Sequence, residues 1–390
     1  MKKIKDLIDL KDKKILIRLD LNVPLKNDEI IDTTRIDKIL PTLNFLIKKK
    51  SKIIIISHIG RPNGKIDLKL SMKPVCKYLS KKLDKKINLV SKNIYDLEPN
   101  SIFTKNEDNL VMLENIRFYE QEEKNEENFA KILSKFGEIF VNDAFSCSHR
   151  EHSSLTKITK FLPSYCGLQM DLEITALKKI TSDIKRPITC IIGGSKISTK
   201  IGVIKNLIPK FENLVIVGGM ANNILDYKGY KTGKSIKENN CSEIIKEIYS
   251  LAAKENCNIC YPSDVSTGKN LNDISQIKKL NEIENDDMIL DIGPETIKEI
   301  ISLIKESKTI FWNGPAGYFE NSDFSKGSIQ IAKAIIELKK EIYSVAGGGD
   351  TIAVLNKING LKDFNFVSTA GGAFLEYLEG KEIPGIRALY

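Results

Sequence analysis

The run Ile53-Ile54-Ile55-Ile56 leaves this chain few ways to fold. Successive side chains on a strand point to opposite faces, so four isoleucines in a row are apolar on both. Such a run is expected when helices cover both sides of a parallel sheet. Comparable β-rich runs recur at Lys14–Leu19, Lys52–Ser57, Asn109–Leu113, Glu138–Val141, Ile188–Ile192, Asn213–Val217, Asn258–Tyr261, Met288–Asp291, Thr309–Trp312, Ile342–Val345 and Phe364–Val367. Between them lie stretches with helical spacing of apolar residues, among them Arg35–Lys49, Glu127–Phe136, Ser242–Lys254 and Glu295–Lys305. This alternation predicts an α/β protein built on doubly wound parallel sheets, with helices on both faces.

A chain of 390 residues is too long for one ordinary core, so two Rossmann-like domains are expected. Pro163 and Gly167 close the first series of strands, and a second series begins after Lys185-Arg186-Pro187. Asp171–Lys179 has helical spacing, and the reading is a connecting helix rather than a flexible linker. The expected division is residues 1–168, a connecting segment 169–185, and residues 186–380.

Charge alone decides little. Lys and Arg exceed Asp and Glu by nine, which suits acidic small molecules and nucleic acid alike. Lysine, isoleucine and asparagine are abundant everywhere, however, so the surplus reads as a compositional bias, and no nucleic-acid partner is expected. The first ten residues contain no apolar stretch of signal-peptide type, and no run approaches the ~18 apolar residues of a membrane span. Seven scattered cysteines, an odd number, point to reduced thiols and a cytoplasmic protein. Cys257 and Cys260 have metal-like spacing, but no second pair completes a zinc site, so they read as core cysteines.

Ligands in open α/β sheets bind beyond the carboxyl ends of the strands. There the two halves of the sequence differ. The first-half strands are followed by charged and polar donors: Arg18, Asp20 and Asn22; His58 and Arg61; Glu114, Asn115 and Arg117; Asn142, Asp143, His149 and Arg150. Arginine offers a rigid set of donors that matches phosphate or carboxylate, and four strand ends carrying such groups predict an anion site. The second-half strands are followed by glycines: Gly193-Gly194, Gly218-Gly219, Gly293, Gly314, Gly317, Gly347-Gly348-Gly349 and Gly371-Gly372. Glycine lets backbone amides approach a phosphate, and the next helix start adds partial positive charge, which predicts a nucleotide site. Lys196 and Lys200 share one face of a beginning helix, and Asp350 either caps a helix or holds magnesium.

Familiar alternatives lack their fingerprints. Lys228–Ser235 reads KGYKTGKS, a P-loop with its glycines one residue too close. No G-x-G-x-x-G follows a strand, since position 352 is isoleucine. An NAD-dependent dehydrogenase of the same fold class is therefore disfavoured, and a non-catalytic phosphometabolite binder does not explain two such different halves.

The segments RLDLNVP (Arg18–Pro24), SHIGRP (Ser57–Pro62), ENIRFY (Glu114–Tyr119), NDAFSCSHREHSS (Asn142–Ser154), GGSKISTKIGVI (Gly193–Ile204), WNGPAGYFE (Trp312–Glu320), GGGDT (Gly347–Thr351) and STAGGA (Ser368–Ala373) resemble the ordered signature blocks of the phosphoglycerate kinase family. The resemblance spans nearly the whole chain. It implies a monomer with two lobes, the first for 3-phosphoglycerate or 1,3-bisphosphoglycerate and the second for ADP or ATP with Mg²⁺. It also implies that the tail, residues 381–390, packs back on the first lobe. Carried over, Asp20, Leu21, Asn22, Arg35, His58, Ile59, Gly60, Arg61, Arg117 and Arg150 hold the phosphoglycerate. Lys200, Gly293, Asn313, Glu320, Gly348, Gly349, Asp350 and Thr351 serve the nucleotide, with Asp350 on the metal. Arg35, Lys196, Gly348, Gly349, Gly371 and Gly372 surround the phosphoryl group in flight. The family often has three glycines where this chain has Ala370-Gly371-Gly372.

Overall fold

The computed structural model describes residues 1–103 and 109–390. The chain divides into two compact units, Met1–Thr175 with Glu382–Tyr390, and Ala176–Lys381.

Unit 1 is built on a six-stranded parallel sheet. In spatial order its strands are Asn88–Val90, Leu110–Leu113, Lys52–Ile56, Lys14–Leu19, Ile139–Asp143 and Ser164–Cys166. The isoleucine run behaves as its pattern demands. Ile53 and Ile55 join Ile15, Ile17 and Leu43 in a core on one face, while Ile54 and Ile56 join Leu16, Phe129 and Phe140 on the other. The helices Thr34–Lys48 and Lys73–Leu83 contribute to the first core, and Glu127–Ser134 to the second.

Unit 2 repeats the architecture with strands ordered Asn258–Cys260, Asn213–Ile216, Ile188–Ile192, Thr309–Asn313, Tyr343–Gly347 and Phe366–Ser368. Counted along the chain, that order is third, second, first, fourth, fifth, sixth, so the winding reverses between Ile188–Ile192 and Thr309–Asn313. Crevices at such reversals are where doubly wound sheets bind ligands.

The run at Met288 departs from expectation. It forms a strand, Met288–Ile292, but outside the parallel sheet. It pairs antiparallel with Asp264–Gly268, which also pairs with Gln276–Lys279. A buried apolar run indicates a strand without indicating its partner. The short strands Asn88–Val90 and Ser164–Cys166 give weaker signals, being only three residues long and half-buried for the most part.

The helix Leu168–Thr181 carries the division between the units, which falls after Thr175. Its first turn is held by Asp143, whose buried carboxylate accepts the Met170 amide at 2.8 Å and the Thr42 hydroxyl. Burial raises that carboxyl to about 6. Cys257 is buried and Cys260 half-buried, both as free thiols pushed up by burial. Among the described residues no helix is long and apolar enough to cross a membrane.

Candidate active site

In unit 1, Arg18 lies level with Ile56 on one neighbouring strand and with Asn142 on the other. The segments after Leu19, Ile56 and Asp143 therefore leave the sheet side by side. The Asp20 carboxylate accepts the Asn22 amide at 3.1 Å, Arg35 Nη1 at 2.9 Å and the Ser146 hydroxyl. Asn22 Oδ1 accepts the Gly60 amide at 2.9 Å, and its carbonyl accepts Arg35 Nη1 at 3.3 Å. Asp20, Asn22, Arg35 and Gly60 thus form one hydrogen-bonded group. The buried Leu21 anchors it, its amide donating to Ser57 Oγ at 3.1 Å.

Arg117 enters the same group through Nη1, which donates to the Gly60 carbonyl at 3.0 Å, while Nε lies 3.3 Å from the Glu123 carboxylate. Its Nη2 is buried and has no acceptor among the described residues. An unmet buried donor on a charged group costs on the order of 1–3 kcal/mol or more, so an acceptor such as an anion placed there would relieve that cost. Ile59 is buried, and its carbonyl accepts Asn115 Nδ2 at 2.8 Å. Arg150 is half-buried, with Nε 3.3 Å from His149 Nε2, and Arg61 is exposed on the following loop.

Arg18 differs from the other arginines. It is fully buried inside its strand, and its donors are committed within the unit. Nε donates to Ser154 Oγ at 3.1 Å, Nη1 to the Leu19 carbonyl, and Nη2 to His58 Nδ1 at 3.0 Å. Ser154 Oγ in turn donates at 2.6 Å to Glu122, a fully buried carboxylate that balances the guanidinium. Burial raises the Glu122 pKa, with Arg18 and the Ser154 hydrogen bonds acting against it. The sequence groups Arg18 with the ligand donors, but its place is beneath them. Burial, reinforced by Arg18 and Arg117, holds His58 well below the usual imidazole range. Burial with Arg117 and Arg18 likewise lowers His152 to about 3.

Unit 2 gathers its groups at the winding reversal. Asn313 is level with Ile192 on one side and Gly347 on the other. Lys200 Nζ donates to the Gly193 carbonyl at 2.5 Å, to the Asn313 carbonyl at 3.2 Å and to Asn313 Oδ1 at 2.6 Å. Burial lowers its pKa to about 8, with Cys190 and Asp350 opposing the shift. Asn313 Nδ2 donates to the Gly347 carbonyl at 2.8 Å, and Thr351 Oγ1 accepts the Gly314 amide at 2.7 Å. These bonds fix the turn that leads into the helix Gly349–Lys357. Gly348 precedes that helix at φ +95°, a conformation that excludes most side chains, and the turn exposes Gly349 and Asp350. Gly371 and Gly372 open the helix Gly372–Leu378 and are exposed, as is Lys196.

Beside these turns lies a mostly apolar cavity of about 410 Å³, lined in part by Gly219, Leu290, Phe319, Glu320 and Asp350. Its size suits a nucleoside. Asn222 also lines it, fixed by Nδ2 to the Ile236 carbonyl at 3.0 Å, with Oδ1 lacking a partner among the described residues. The sequence reading missed this wall, because ordinary apolar residues from the antiparallel sheet and the Tyr318-Phe319 segment carry no motif. Gly293 stands apart from those glycine turns. It precedes the helix Pro294–Glu306, whose first amides, at Glu295 and Thr296, are already taken by Asp264 at 3.0 and 2.8 Å.

The family model for phosphoglycerate kinase matches residues 4–381. The chain is 44% identical to a phosphoglycerate kinase of Wolbachia pipientis wMel over 98% of this chain and 96% of that one. A phosphoglycerate kinase structure from Coxiella burnetii superposes with a TM-score of 0.92 at 36% identity, covering 99% and 98% of the two chains. One from Pyrococcus horikoshii OT3 gives 0.82 at 27% identity, covering 100% and 98%.

Proposed function

The chain belongs to the phosphoglycerate kinase family, and from that premise we propose how its residues divide the work of phosphoryl transfer. The reaction is that of a glycolytic kinase: 1,3-bisphosphoglycerate and ADP exchange a phosphoryl group, giving 3-phosphoglycerate and ATP. In the proposed assignment, unit 1 holds the phosphoglycerate. Arg117, Arg150, Arg61 and His58 take its anionic groups, and Asp20, Leu21, Asn22, Ile59 and Gly60 shape the loops around it. The observation that carries this half is the buried, unpartnered Nη2 of Arg117.

Unit 2 holds the nucleotide in the same proposal. The base and ribose occupy the cavity of about 410 Å³, with Glu320 at its wall and Gly293 supporting it through neighbouring Ile292. The phosphates meet Lys200, Asn313, Thr351 and the amides of Gly348 and Gly349. One exposed carboxylate at a phosphate turn suits Mg²⁺, which favours one or two carboxylates together with substrate phosphates. Asp350 meets that description and would hold the ion. When bound, the metal supplies positive charge against the phosphate oxygens.

Little covalent chemistry falls to the protein. The attacking carboxylate has a pKa near ~4 and is already ionised at neutral pH, so no general base is required. What transfer needs is positive charge around the phosphoryl oxygens. Arg35 supplies it from unit 1, and Lys196 with the amides at Gly348, Gly349, Gly371 and Gly372 supplies it from unit 2. Neither unit contains the whole set, so transfer is proposed to follow closure of the two on each other, which also excludes water.

A coupled assay of ATP consumption tests the reading. Turnover with 3-phosphoglycerate and Mg²⁺, and none without either, supports it. Tight RNA retention on a filter with no turnover overturns it in favour of a binding protein.

A further inference from the structure

A guanidinium has five N–H donors, no acceptor, and keeps its proton in proteins. A neutral imidazole has one donor and one acceptor nitrogen, and the partner of either decides which is which. Arg18 Nη2 stands 3.0 Å from His58 Nδ1. In that pair Arg18 must donate, so Nδ1 must accept and the ring proton must reside on Nε2.

We propose that Arg18 is a positioning residue that locks His58 in the Nε2–H tautomer, so that the ring meets the anionic group of the substrate as an uncharged donor. This deepens the reading of unit 1 as the phosphoglycerate site and rests on it. Arg18 is well built for the role. It belongs to the central strand Lys14–Leu19, is 0% exposed, and is tied down by Ser154 Oγ at 3.1 Å and the Leu19 carbonyl. Ser154 links it to the buried Glu122 carboxylate, so its charge is balanced without a carboxylate competing for His58. Besides Arg18, the charged and titratable groups that act on the ring are Arg117, His152 and Arg150, each opposing its protonation after burial itself. A charged imidazole would bind an anion more strongly but only at low pH. The locked neutral ring gives a directed hydrogen bond that does not depend on protonating the imidazole.

The chain has three histidines, so ¹⁵N-histidine labelling gives a simple spectrum, with His58 assigned by loss of its signals in His58→Gln. The wild-type ring is expected to show a protonated Nε2 and a pyridine-like Nδ1 from about pH 5 to 8, the range over which a free imidazole changes charge. An Nδ1–H ring, or an imidazolium at pH 6, overturns the proposal without any arginine variant being made. In Arg18→Met, burial and Arg117 still hold the ring neutral, but nothing fixes Nδ1 as the acceptor, so His58 should mix its two neutral tautomers. The variant's KM for 3-phosphoglycerate should rise several-fold, with kcat within about twofold. Arg18→Lys should restore both the Nε2–H tautomer and KM. A raised KM in Arg18→Met with the ring still wholly Nε2–H means Arg18 serves only as a structural prop, and the proposal fails. Saturating 3-phosphoglycerate should shift Nε2; a locked Nε2–H ring that ignores it leaves the lock standing and refutes the site reading instead.

Discussion

In the proposed assignment, the two units address phosphate-like anions by opposite means. Unit 1 relies on side chains held by a buried polar web of Arg18, Arg117, Glu122, Ser154 and His152. Unit 2 contains none of the chain's three histidines and relies on exposed turns, where Gly349, Asp350, Gly371 and Gly372 present the backbone. A side-chain site must be supported from below, so it costs buried charge and is sensitive to what lies under it. A backbone site must be kept clear from above, so it is sensitive to any added side chain. The difference gives each unit its own way to fail.

The largest effect should come from Lys196→Ala. Lys196 is exposed, so its removal leaves no cavity, and its proposed role lies in the transition state alone. Loss of one such donor lowers kcat by about 10²–10³ with KM for 3-phosphoglycerate little changed. Steady-state kinetics decide it: a raised KM with kcat intact would make Lys196 an ordinary binding residue.

Arg150→Ala should show the complementary pattern in unit 1. Arg150 is half-buried and proposed to bind the ground-state anion, so KM for 3-phosphoglycerate rises on the order of tenfold to a hundredfold while kcat falls less. An unchanged KM removes Arg150 from the site.

These contrasts also indicate what the sequence could convey. Fold class was legible because Ile53–Ile56 and its counterparts force burial on both faces. The kind of group at each strand end was legible too, because arginine and glycine are unlike in what they can do there. Depth was not: Arg18 and Arg117 look alike as letters, yet one has its nitrogens engaged within the unit and the other keeps an unmet donor. Nor was the partner of Met288–Ile292, because an apolar strand fits a parallel or an antiparallel neighbour equally well. The nucleoside-sized cavity shares that obscurity, being walled largely by that strand and by residues of no distinctive chemistry.

Titration separates the units further. Burial lowers Lys200 from 10.5 to about 8, so its charge is lost as pH rises through that value. KM for ATP should therefore climb above about pH 8, by up to about tenfold per unit if the charge is essential. KM for 3-phosphoglycerate should stay flat over the same range, because guanidinium groups and a neutral His58 do not titrate there. Unfolding does not explain such a rise. The folded state binds fewer protons than the unfolded one between pH 8 and 10.5, so this group's contribution to stability increases with pH across that window. Parallel pH profiles for the two substrates, with thermal melts beside them, test the contrast; a flat ATP profile would exclude Lys200 from phosphate binding.

The smallest effect discriminates most finely between backbone and side chain. A Cβ built on Gly349 meets nothing within 4 Å, and its backbone is helical rather than left-handed. Gly349→Ala should thus fold as well as wild type or better, gaining up to roughly 0.5–1 kcal/mol from helix propensity. Gly371 is the control, since at φ +57° an alanine there should cost about 1–2 kcal/mol despite equally open space. If the amide of Gly349 meets phosphate, the methyl group in Gly349→Ala obstructs the approach and raises KM for ATP a few-fold in a protein that melts no lower. In this variant no ligand-contacting side chain is removed, so loss of affinity without loss of stability points to space the fold leaves empty and the ligand requires. Unchanged ATP affinity in that variant would remove this turn from the phosphate cradle and leave Lys200 and Asn313 to hold the nucleotide with their side chains, as unit 1 is proposed to hold its own ligand.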